Sequence, residues 1–424
     1  MIGPARRWAA QHLADQLYLQ SYLMLAATAV SSVTGLGFWV LAARAADART
    51  VGLGAGLVAA VSFLSYLTSF ALPYGMLRYA RVSAHISGIV NYALSFSALT
   101  SVLAALVFAA GSARWAPKLH GFLDGSADVA LFALAGAGAA MGLLLDNALA
   151  GQRRGGVALA RATATGLGKL ALLPLLAPLG PLGIYLAMTL PQAASTTAVV
   201  VLLPRLVPGY SFRDLRRSPE VGALFGFSLR NYPGALAGGA PTFLLPVIAV
   251  NVLSARDNAF FYVAWSIGQV AQLLPSVVAN MALSEGATEG AARSAAKAER
   301  FVLALLVPAC AAGSLVAAPV LAVFGPDYAA GAALPLRCFV ASAVPWAVVV
   351  ISQSRLRVEG RHREVTGLTL LFCLLSLGLP LAVTGWLGLA GVGLGWLAAV
   401  SMTALVVVAR ASRQEVVPPM TGAS

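Results

Sequence analysis

The stretch FGFSLRNYPGALAGGAPTFLLPVIAVNVL, Phe225 to Leu253, contains a single charged side chain, the guanidinium of Arg230. A helix that spans a bilayer needs about 20 mostly apolar residues, and this stretch is longer than that. Because lipid offers no partners for open backbone groups, a run of this kind is predicted to be helical. The stretch therefore predicts a membrane span and raises the question of why a charge lies near its start.

The whole chain has the composition of a membrane protein. Of its 424 residues, 59% are hydrophobic and 10% are charged, and its mean hydropathy of +0.83 is far from the balance of soluble domains. Twelve apolar runs are long enough to cross a bilayer. They lie near residues 19–42, 52–76, 86–110, 128–149, 159–178, 182–203, 226–251, 259–283, 301–323, 330–352, 365–384 and 388–409. The predicted fold class is all-α: a polytopic membrane protein with twelve transmembrane helices.

The positive charge of the chain is distributed unevenly between the predicted loops. The 28 basic and 15 acidic residues give a net charge of +13. If the N-terminus is cytoplasmic, twenty of the 28 Lys and Arg residues fall on the inner side and five on the outer side, which is the positive-inside pattern. We therefore predict a multi-pass protein of the inner (plasma) membrane with both termini cytoplasmic, and nucleic acid is not the expected partner.

Three short matches recur at nearly one offset. GPLGIYL at Gly180 resembles GLAGVGL at Gly388, and GQRRGGV at Gly151 resembles EGRHREV at Glu359, both 208 residues apart. ADARTVG at Ala46 resembles LSARDNA at Leu253, 207 residues apart. Each match lies at a helix end, and all three keep the same order. We infer a duplicated unit of six spans.

A repeat of six spans has a topological consequence. Six is even, so both halves run through the membrane in the same direction and form a parallel repeat, with a binding site expected in a central cavity between them. We predict the following division: 1–18, a cytoplasmic or interfacial segment; 19–204, an N-lobe of six spans; 205–222, a cytoplasmic linker; 223–410, a C-lobe of six spans; and 411–424, a cytoplasmic tail.

Four stretches resemble a known superfamily. They are FWVLAARAADARTVGLGAGLVAAVS at Phe38, ARDNAFFYVAWSIGQVAQLLPSVVANMALSEG at Ala255, FGPDYA at Phe324 and RVEGRHREV at Arg357. With the two six-helix lobes, they are similar to the polysaccharide-biosynthesis (O-antigen type) flippase branch of the multidrug/oligosaccharidyl-lipid/polysaccharide exporter superfamily. The resemblance implies alternating access that moves a polyprenyl-diphosphate-linked glycan from the inner to the outer leaflet. A polysaccharide polymerase or glycosyltransferase is the protein partner that it implies.

Two departures bear on the branch. Peptidoglycan-precursor flippases usually carry two further C-terminal helices, whereas this chain continues only about 14 residues past its twelfth span, which disfavours that branch. Cation-coupled drug exporters hold acids inside their helices, and here Asp146 is the one acid placed within a span. A small-molecule or drug antiporter of the same architecture remains the alternative, and Asp146 is a candidate for an ion or gating pair.

A charged side chain inside a span costs about 3 kcal/mol or more, so it marks a candidate site. Lys169 lies about 12 Å deeper in the fifth span than Arg161, at 1.5 Å per residue. It either lines a cavity or reaches the interface or backbone carbonyls. Arg230 binds the substrate phosphate, pairs with Asp146 or extends to the inner surface, since its guanidinium matches phosphate oxygens.

Further candidates for substrate binding are polar side chains near these charges. Asn231 and Tyr232 follow Arg230 directly, and each is as easily explained by a helix–helix hydrogen bond. Arg44 lies at the outer exit of the first span, either as an interfacial anchor or as a release site. Together with Lys169, these are the residues that we predict to contact the substrate.

Signatures of an enzyme are missing from the sequence. The four histidines have no metal-ligand spacing, and there is no nucleotide-binding loop. A membrane-embedded glycosyltransferase or ligase would need a large outer loop, but the longest one, GSARWAPKLHGFLDGSAD at Gly111, is short and basic. We therefore expect a transporter, not an enzyme, that needs no cofactor and no metal.

Overall fold

The computed structural model of the chain describes residues 16–79, 85–207, 209–214, 218–279 and 291–415. These residues form helices joined by short turns, and no strand occurs among them. Most of the predicted N-terminal segment and most of the predicted tail lie outside the described residues. The predicted all-α class is confirmed.

The first compact unit runs from Met1 to Arg256. Its long helices are α1 (Gln16–Ala45), α2 (Ala48–Leu67), α3 (Ile86–Trp115), α4 (Ser126–Gly151), α5 (Gly155–Leu176), α6 (Pro181–Leu206) and α7 (Pro219–Val252). Shorter helices are Leu72–Tyr79, Pro117–His120 and the 3₁₀ turn Ala177–Leu179. Helix α7, which contains Arg230, packs on α2 and on the helix Leu72–Tyr79.

The second compact unit runs from Asp257 to Ser424. Its helices are α8 (Ala255–Ala271, helical again over 273–279), α9 (Ala291–Leu315), the short Ala317–Ala322, α10 (Pro326–Ala341, continued as Ala343–Val358) and a final helical stretch, His362–Glu415. The division into two compact units does not bear on an internal repeat, so the predicted lobes with a linker at 205–222 stay a prediction.

The final helical stretch is long enough to cross a membrane twice. Eleven described helices are long and apolar enough to span a bilayer, and the last of them, His362–Arg410, has 49 residues. At 1.5 Å per residue this is about 74 Å, whereas the hydrocarbon core is about 30 Å thick. Gly388, with φ of 53°, divides the stretch into α11 (362–387) and α12 (389–415). The described chain thus accommodates the twelve predicted spans.

The second predicted span is broken. Residues 52–76 were expected to be one helix, but α2 ends at Leu67 and the chain resumes as Leu72–Tyr79. Phe70 and Ala71 between them have φ of 47° and 58°. Left-handed conformations cost L-residues about 1–2 kcal/mol each, and such strain persists only where surrounding contacts hold it. Hydropathy could not reveal this break, because both pieces are apolar.

Helices of the first unit pack closely where small residues face each other. Helix α1 lies along α5, and a Cβ added to Gly166 on α5 would come within 2.4 Å of Oγ1 of Thr34. Small residues allow membrane helices to approach in this way, because dispersion contacts take the place of a hydrophobic driving force. The close contact of α1 with α5 forms one wall of the cavity described below.

Aromatic rings fill the core of the second unit. The rings of Trp265 on α8 and Trp396 on α12 meet edge to face, with centroids 4.7 Å apart. Trp396 is 1% exposed, and its Nε1 donates to Oγ of Ser342, 3.1 Å away, where α10 is interrupted. This hydrogen bond gives the buried indole N–H a partner. It also links α12 to the residue at which α10 is interrupted.

Candidate functional site

A hydroxyl-lined cavity lies between α1, α4, α5 and α6 of the first unit. Its volume is about 450 Å³, within the range of small-molecule sites. Its polar lining residues are Thr28, Ser31, Ser32, Thr34, Asp146, Arg161, Thr165, Lys169 and Gln192. Among these there are two basic side chains and one acidic side chain, so the lining carries a net positive charge.

Arg161 on α5 is bound to Asp146 on α4 by two hydrogen bonds. Nε of Arg161 donates to Oδ1 of Asp146 at 3.0 Å, and Nη2 donates to Oδ2. The arginine side chain is 6% exposed and the aspartate 47% exposed. Oγ of Ser195 and Oγ1 of Thr196 each lie 3.5 Å from Nη1. The carboxylate thus holds the guanidinium at the edge of the cavity and neutralises it.

Lys169 lies two helical turns beyond Arg161 on the same helix and lines the same cavity. It forms no hydrogen bond or ion pair with a described side chain, since the only acid of the lining is bound to Arg161. Its ammonium is therefore the uncompensated charge of this cavity. Lys169 lines a cavity, which is one of the two alternatives that the sequence left open. Substrate binding by Lys169 stays a prediction.

Arg230, Asn231 and Tyr232 lie elsewhere. Arg230 and Asn231 are exposed on α7, and Nδ2 of Asn231 donates to the carbonyl of Phe227 on its own helix. None of the three lines the hydroxyl-lined cavity. The structure does not bring Arg230 and Lys169 to one cavity, and the alternative in which Arg230 pairs with Asp146 is wrong, because Arg161 occupies that carboxylate.

Tyr232 takes part in a reciprocal contact between α2 and α7. Its hydroxyl donates to the carbonyl of Leu67 at 2.6 Å, and the hydroxyl of Tyr66 donates to the carbonyl of Ala235 at 2.5 Å. Leu67 is the last residue of α2, and its carbonyl has no helical partner where the helix breaks. Both tyrosines line a smaller cavity of about 110 Å³ with Asn147. We name this pair of bonds the tyrosine clasp.

Arg44 lies at the far end of α1 from the cavity lining. It is exposed in the last helical turn, ten residues or about 15 Å beyond Thr34 at 1.5 Å per residue. Asp47, three residues later, accepts a hydrogen bond from the N–H of Thr50 at 2.7 Å and caps α2. A basic side chain in a last turn also stabilises the helix dipole. Arg44 thus lies outside the lining of this cavity, and its contact with the substrate stays a prediction.

Arg161 is the site residue that sequence reasoning missed, since it was counted among cytoplasmic loop residues. The positions of Asp146 and Arg161 on either side of the basic turn GQRRGGV could have indicated the pair. Asp146 lies five residues before α4 ends, and Arg161 lies six residues after α5 begins. At 1.5 Å per residue the two are equally deep, about 8–9 Å from the turn. Adjacent antiparallel helices place such positions side by side.

Solved structures share this fold along most of the chain. An inward-facing multidrug resistance MATE family transporter of the MOP superfamily is 16% identical, with a TM-score of 0.63, over 93% of this chain and 94% of that chain. The lipid II flippase MurJ in an inward closed conformation is 12% identical, with a TM-score of 0.68, over 92% of this chain and 87% of that chain.

A third similar structure is a MOP superfamily transporter from Pyrococcus furiosus, for which reverse polarity of the binding pocket suggests a different function. It is 14% identical, with a TM-score of 0.56, over 93% of this chain and 94% of that chain. No protein-family model matches the chain, and no curated protein matches it in sequence.

The chain therefore has the fold of the MOP superfamily transporters and is a multi-pass membrane protein. Drug transporters of the MATE family and a lipid flippase share this fold. At these identities the likeness defines the architecture and leaves the substrate to the chemistry of the site. The O-antigen type branch suggested by the sequence stays a prediction.

Proposed function

We propose that this protein is a flippase that moves a polyprenyl-diphosphate-linked glycan from the inner to the outer leaflet of the plasma membrane, for the synthesis of a cell-surface polysaccharide. The observation that carries the proposal is the uncompensated ammonium of Lys169 on a cavity whose only acid is bound to Arg161. An anionic group is complementary to this lining. A cationic drug would meet net positive charge there.

The lining supplies donors suited to a phosphorylated sugar. Lys169 presents three N–H donors, and the hydroxyls of α1 donate and accept. The cavity volume of about 450 Å³ is that of a site for a drug-sized ligand, so it suits the diphosphate and its nearest sugar, with the prenyl chain in the bilayer. Arg161 takes the role of a positioning residue that is fixed by Asp146.

Arg230 has a separate role in this proposal. Its exposed guanidinium on the first turns of α7 would meet a diphosphate before the phosphate reaches Lys169, as expected from the match of guanidinium to phosphate oxygens. Asn231 would contribute an amide beside it. Tyr232 acts in the tyrosine clasp and would contact the substrate only if its bond to Leu67 opens.

The test is a deletion strain examined for lipid-linked glycan in the inner leaflet. We expect the glycan to accumulate, wild type to rescue export, and Lys169→Ala to fail. Arg114→Ala, which removes an exposed basic side chain from the last turn of α3, is the matched control and should rescue fully. Normal export in the deletion strain would refute the flippase, and rescue by Lys169→Ala would refute the assignment of the site alone.

A small-molecule antiporter is the second candidate, because the Asp146 side chain is 47% exposed and lines the cavity. Cation-coupled transport would require that carboxylate to exchange Arg161 for a proton or a metal cation. Asp146→Asn should then abolish drug efflux in cells that express the protein. In the flippase, Asp146→Asn lowers stability, and folded protein still moves the glycan.

A further inference from the structure

A small cleft lined by three arginines lies in the second unit, where α10 ends, α11 begins and α12 returns. Its charged lining residues are Arg355 at the end of α10, Arg361 and Glu364 at the start of α11, and Arg410 on α12. Three basic side chains and one acidic side chain give the lining a net charge of +2. We name it the arginine cleft.

Two glutamates hold two of these arginines in fixed positions. Nε of Arg355 donates to Oε1 of Glu359 at 2.7 Å, and Nη1 of Arg361 donates to Oε2 of the same carboxylate at 3.2 Å. Nε of Arg361 also donates to Oε1 of Glu364 at 2.6 Å. The bond to Glu359 uses one of the five N–H donors of Arg355 and leaves others for an anion. The network is therefore preorganised, and because its two guanidinium groups and two carboxylates cancel, the net positive charge of the cleft comes from Arg410.

Arg410 adds a charge from the third helix. It is exposed on α12 and forms no ion pair with a described side chain. It lines the cleft beside Val407. Arg355 and Arg361 are each bound to a glutamate, so Arg410 is the guanidinium of the cleft that has no carboxylate partner among the described side chains, and an anion bound between the three would supply one.

The base of the cleft is apolar, and exposed leucines lie on the helices that form it. Leu356, Leu368 and Val407 line it and form one buried cluster. On the same helices, Leu374 is 72% exposed and Leu405 is 67% exposed, as expected of side chains in contact with acyl chains. A charged rim over an apolar wall, at the end of membrane-spanning helices, matches the chemistry of a phospholipid.

The size of the cleft limits what it can hold. Its volume is about 40 Å³, which is room for about three water-sized groups when each needs 10–15 Å³. The two non-ester oxygens of one phospholipid phosphate fit this space, whereas a sugar does not. The cleft lies in the second unit, so it is separate from the hydroxyl-lined cavity of the first.

We propose that the arginine cleft binds the phosphate of an anionic phospholipid at the membrane surface. Basic pockets between transmembrane helices hold anionic head groups by this chemistry. In the predicted topology the lipid belongs to the inner leaflet. Such a lipid would link α10, α11 and α12 at their ends, independently of what the protein transports.

The test uses the full-length purified protein in detergent, with added phosphatidylglycerol or phosphatidylcholine, and native mass spectrometry to count retained lipid. We expect phosphatidylglycerol to be retained in preference to phosphatidylcholine. Arg410→Gln should weaken its retention about fivefold, since a basic residue near an anionic surface contributes about 1 kcal/mol. Arg410→Lys keeps the charge and should retain the lipid, which distinguishes lost binding from a folding defect.

Two further measurements test whether retention is specific to the cleft and whether it requires a lipid instead of free phosphate. Arg300→Gln, an exposed arginine on α9 outside the cleft, should leave lipid retention unchanged. Inorganic phosphate should displace phosphatidylglycerol only weakly, because it lacks acyl chains. Equal retention of the two lipids, equal loss in Arg300→Gln, or full displacement by inorganic phosphate would each overturn the proposal. Glycan export is not measured, so this outcome is independent of the proposed flippase.

Discussion

Arg161 on α5 and Asp146 on α4 form an ion pair with two hydrogen bonds, one of them 3.0 Å long, at the edge of the hydroxyl-lined cavity. The arginine is almost fully buried and the aspartate is half exposed. Because the two side chains differ in exposure, the loss of one partner costs more free energy when the arginine is the one left behind. The arginine needs the carboxylate, because an unpaired buried charge is costly.

The first prediction concerns this pair. Asp146→Asn leaves Arg161 buried without its charge partner, and we expect a loss of about 2 kcal/mol, less than the 3–5 kcal/mol of a fully buried pair because Asp146 is partly solvated. Arg161→Met in the same background should recover part of the loss. Thermal unfolding in detergent measures both. Asp128→Asn, at the start of the same helix, is the control, and an equal loss there would contradict the prediction.

The second prediction concerns Lys169. Lys169→Met keeps the aliphatic stem and removes the charge, so transport should fall at least about tenfold while stability is kept or raised, since burying an uncompensated charge costs free energy. Lys169→Arg should keep part of the activity. The measurement is movement of a fluorescent polyprenyl-diphosphate saccharide between leaflets of proteoliposomes. Unchanged movement by Lys169→Met at equal protein content would remove Lys169 from the site.

The third prediction concerns the tyrosine clasp. Tyr66→Phe and Tyr232→Phe each remove one hydroxyl bond and should each cost about 1 kcal/mol. The ring contacts remain, since Tyr66 stacks on Phe243 at 4.5 Å and Tyr232 contacts Phe70 at 5.0 Å. The melting temperature of each variant and of the double variant measures the coupling.

Tyr74→Phe is the control for the clasp, because Tyr74 is 53% exposed and lines the same small cavity. Its melting temperature should stay at the wild-type value. A Tyr232→Phe variant that is as stable as wild type and defective in transport would show that the hydroxyl contacts the substrate instead of Leu67.

The fourth prediction concerns the break between α11 and α12. Gly388→Ala should destabilise the protein by about 1–3 kcal/mol, because its φ of 53° and ψ of −133° lie in a region that glycine adopts and other residues disfavour. Gly378→Ala on α11 is a matched control, since an added Cβ meets nothing within 4 Å at either glycine. There the helix should gain up to about 1 kcal/mol. Equal effects on the unfolding midpoint would contradict the assigned conformation.

The fifth prediction concerns pH. Burial alone would raise the pKa of Glu359, but the hydrogen bonds and charges of Arg355 and Arg361 outweigh it and lower that pKa below its ordinary value of 4.5. A carboxylate with a lowered folded-state pKa adds stability above its unfolded pKa and loses it as pH falls through the folded value. Wild type should therefore lose an increment of stability below about pH 4.5 that Glu359→Gln never has.

This pH dependence is measured as the melting temperature of wild type and Glu359→Gln between neutral pH and pH 3. The difference between the two should be constant at neutral pH and shrink in acid. A difference that grows as the pH falls would mean that the pKa of Glu359 is raised.

Much of the fold was predictable because hydropathy acts locally. Each apolar run near the length of a bilayer became helical, some in two pieces, and turns such as GQRRGGV and EGRHREV mark where helices α5 and α11 begin. The repeat stays a prediction; Gly180 and Gly388, which lie 208 residues apart in two of the matched stretches, both have positive φ before α6 and α12. Pro73 marks a kink close to the break at Phe70 and Ala71, but the positive φ of these two residues was not predictable, because it depends on contacts such as that of Phe70 with Tyr232 on α7.

The sequence by itself determined that this chain is a helical membrane protein with charges at few, identifiable depths, since the cost of polar groups in lipid is set residue by residue. Only the tertiary structure decided which charges meet. The rotation of each helix about its axis, fixed by packing against several neighbours, brings Arg161 to Asp146, leaves Lys169 on the cavity and turns Arg230 away from it.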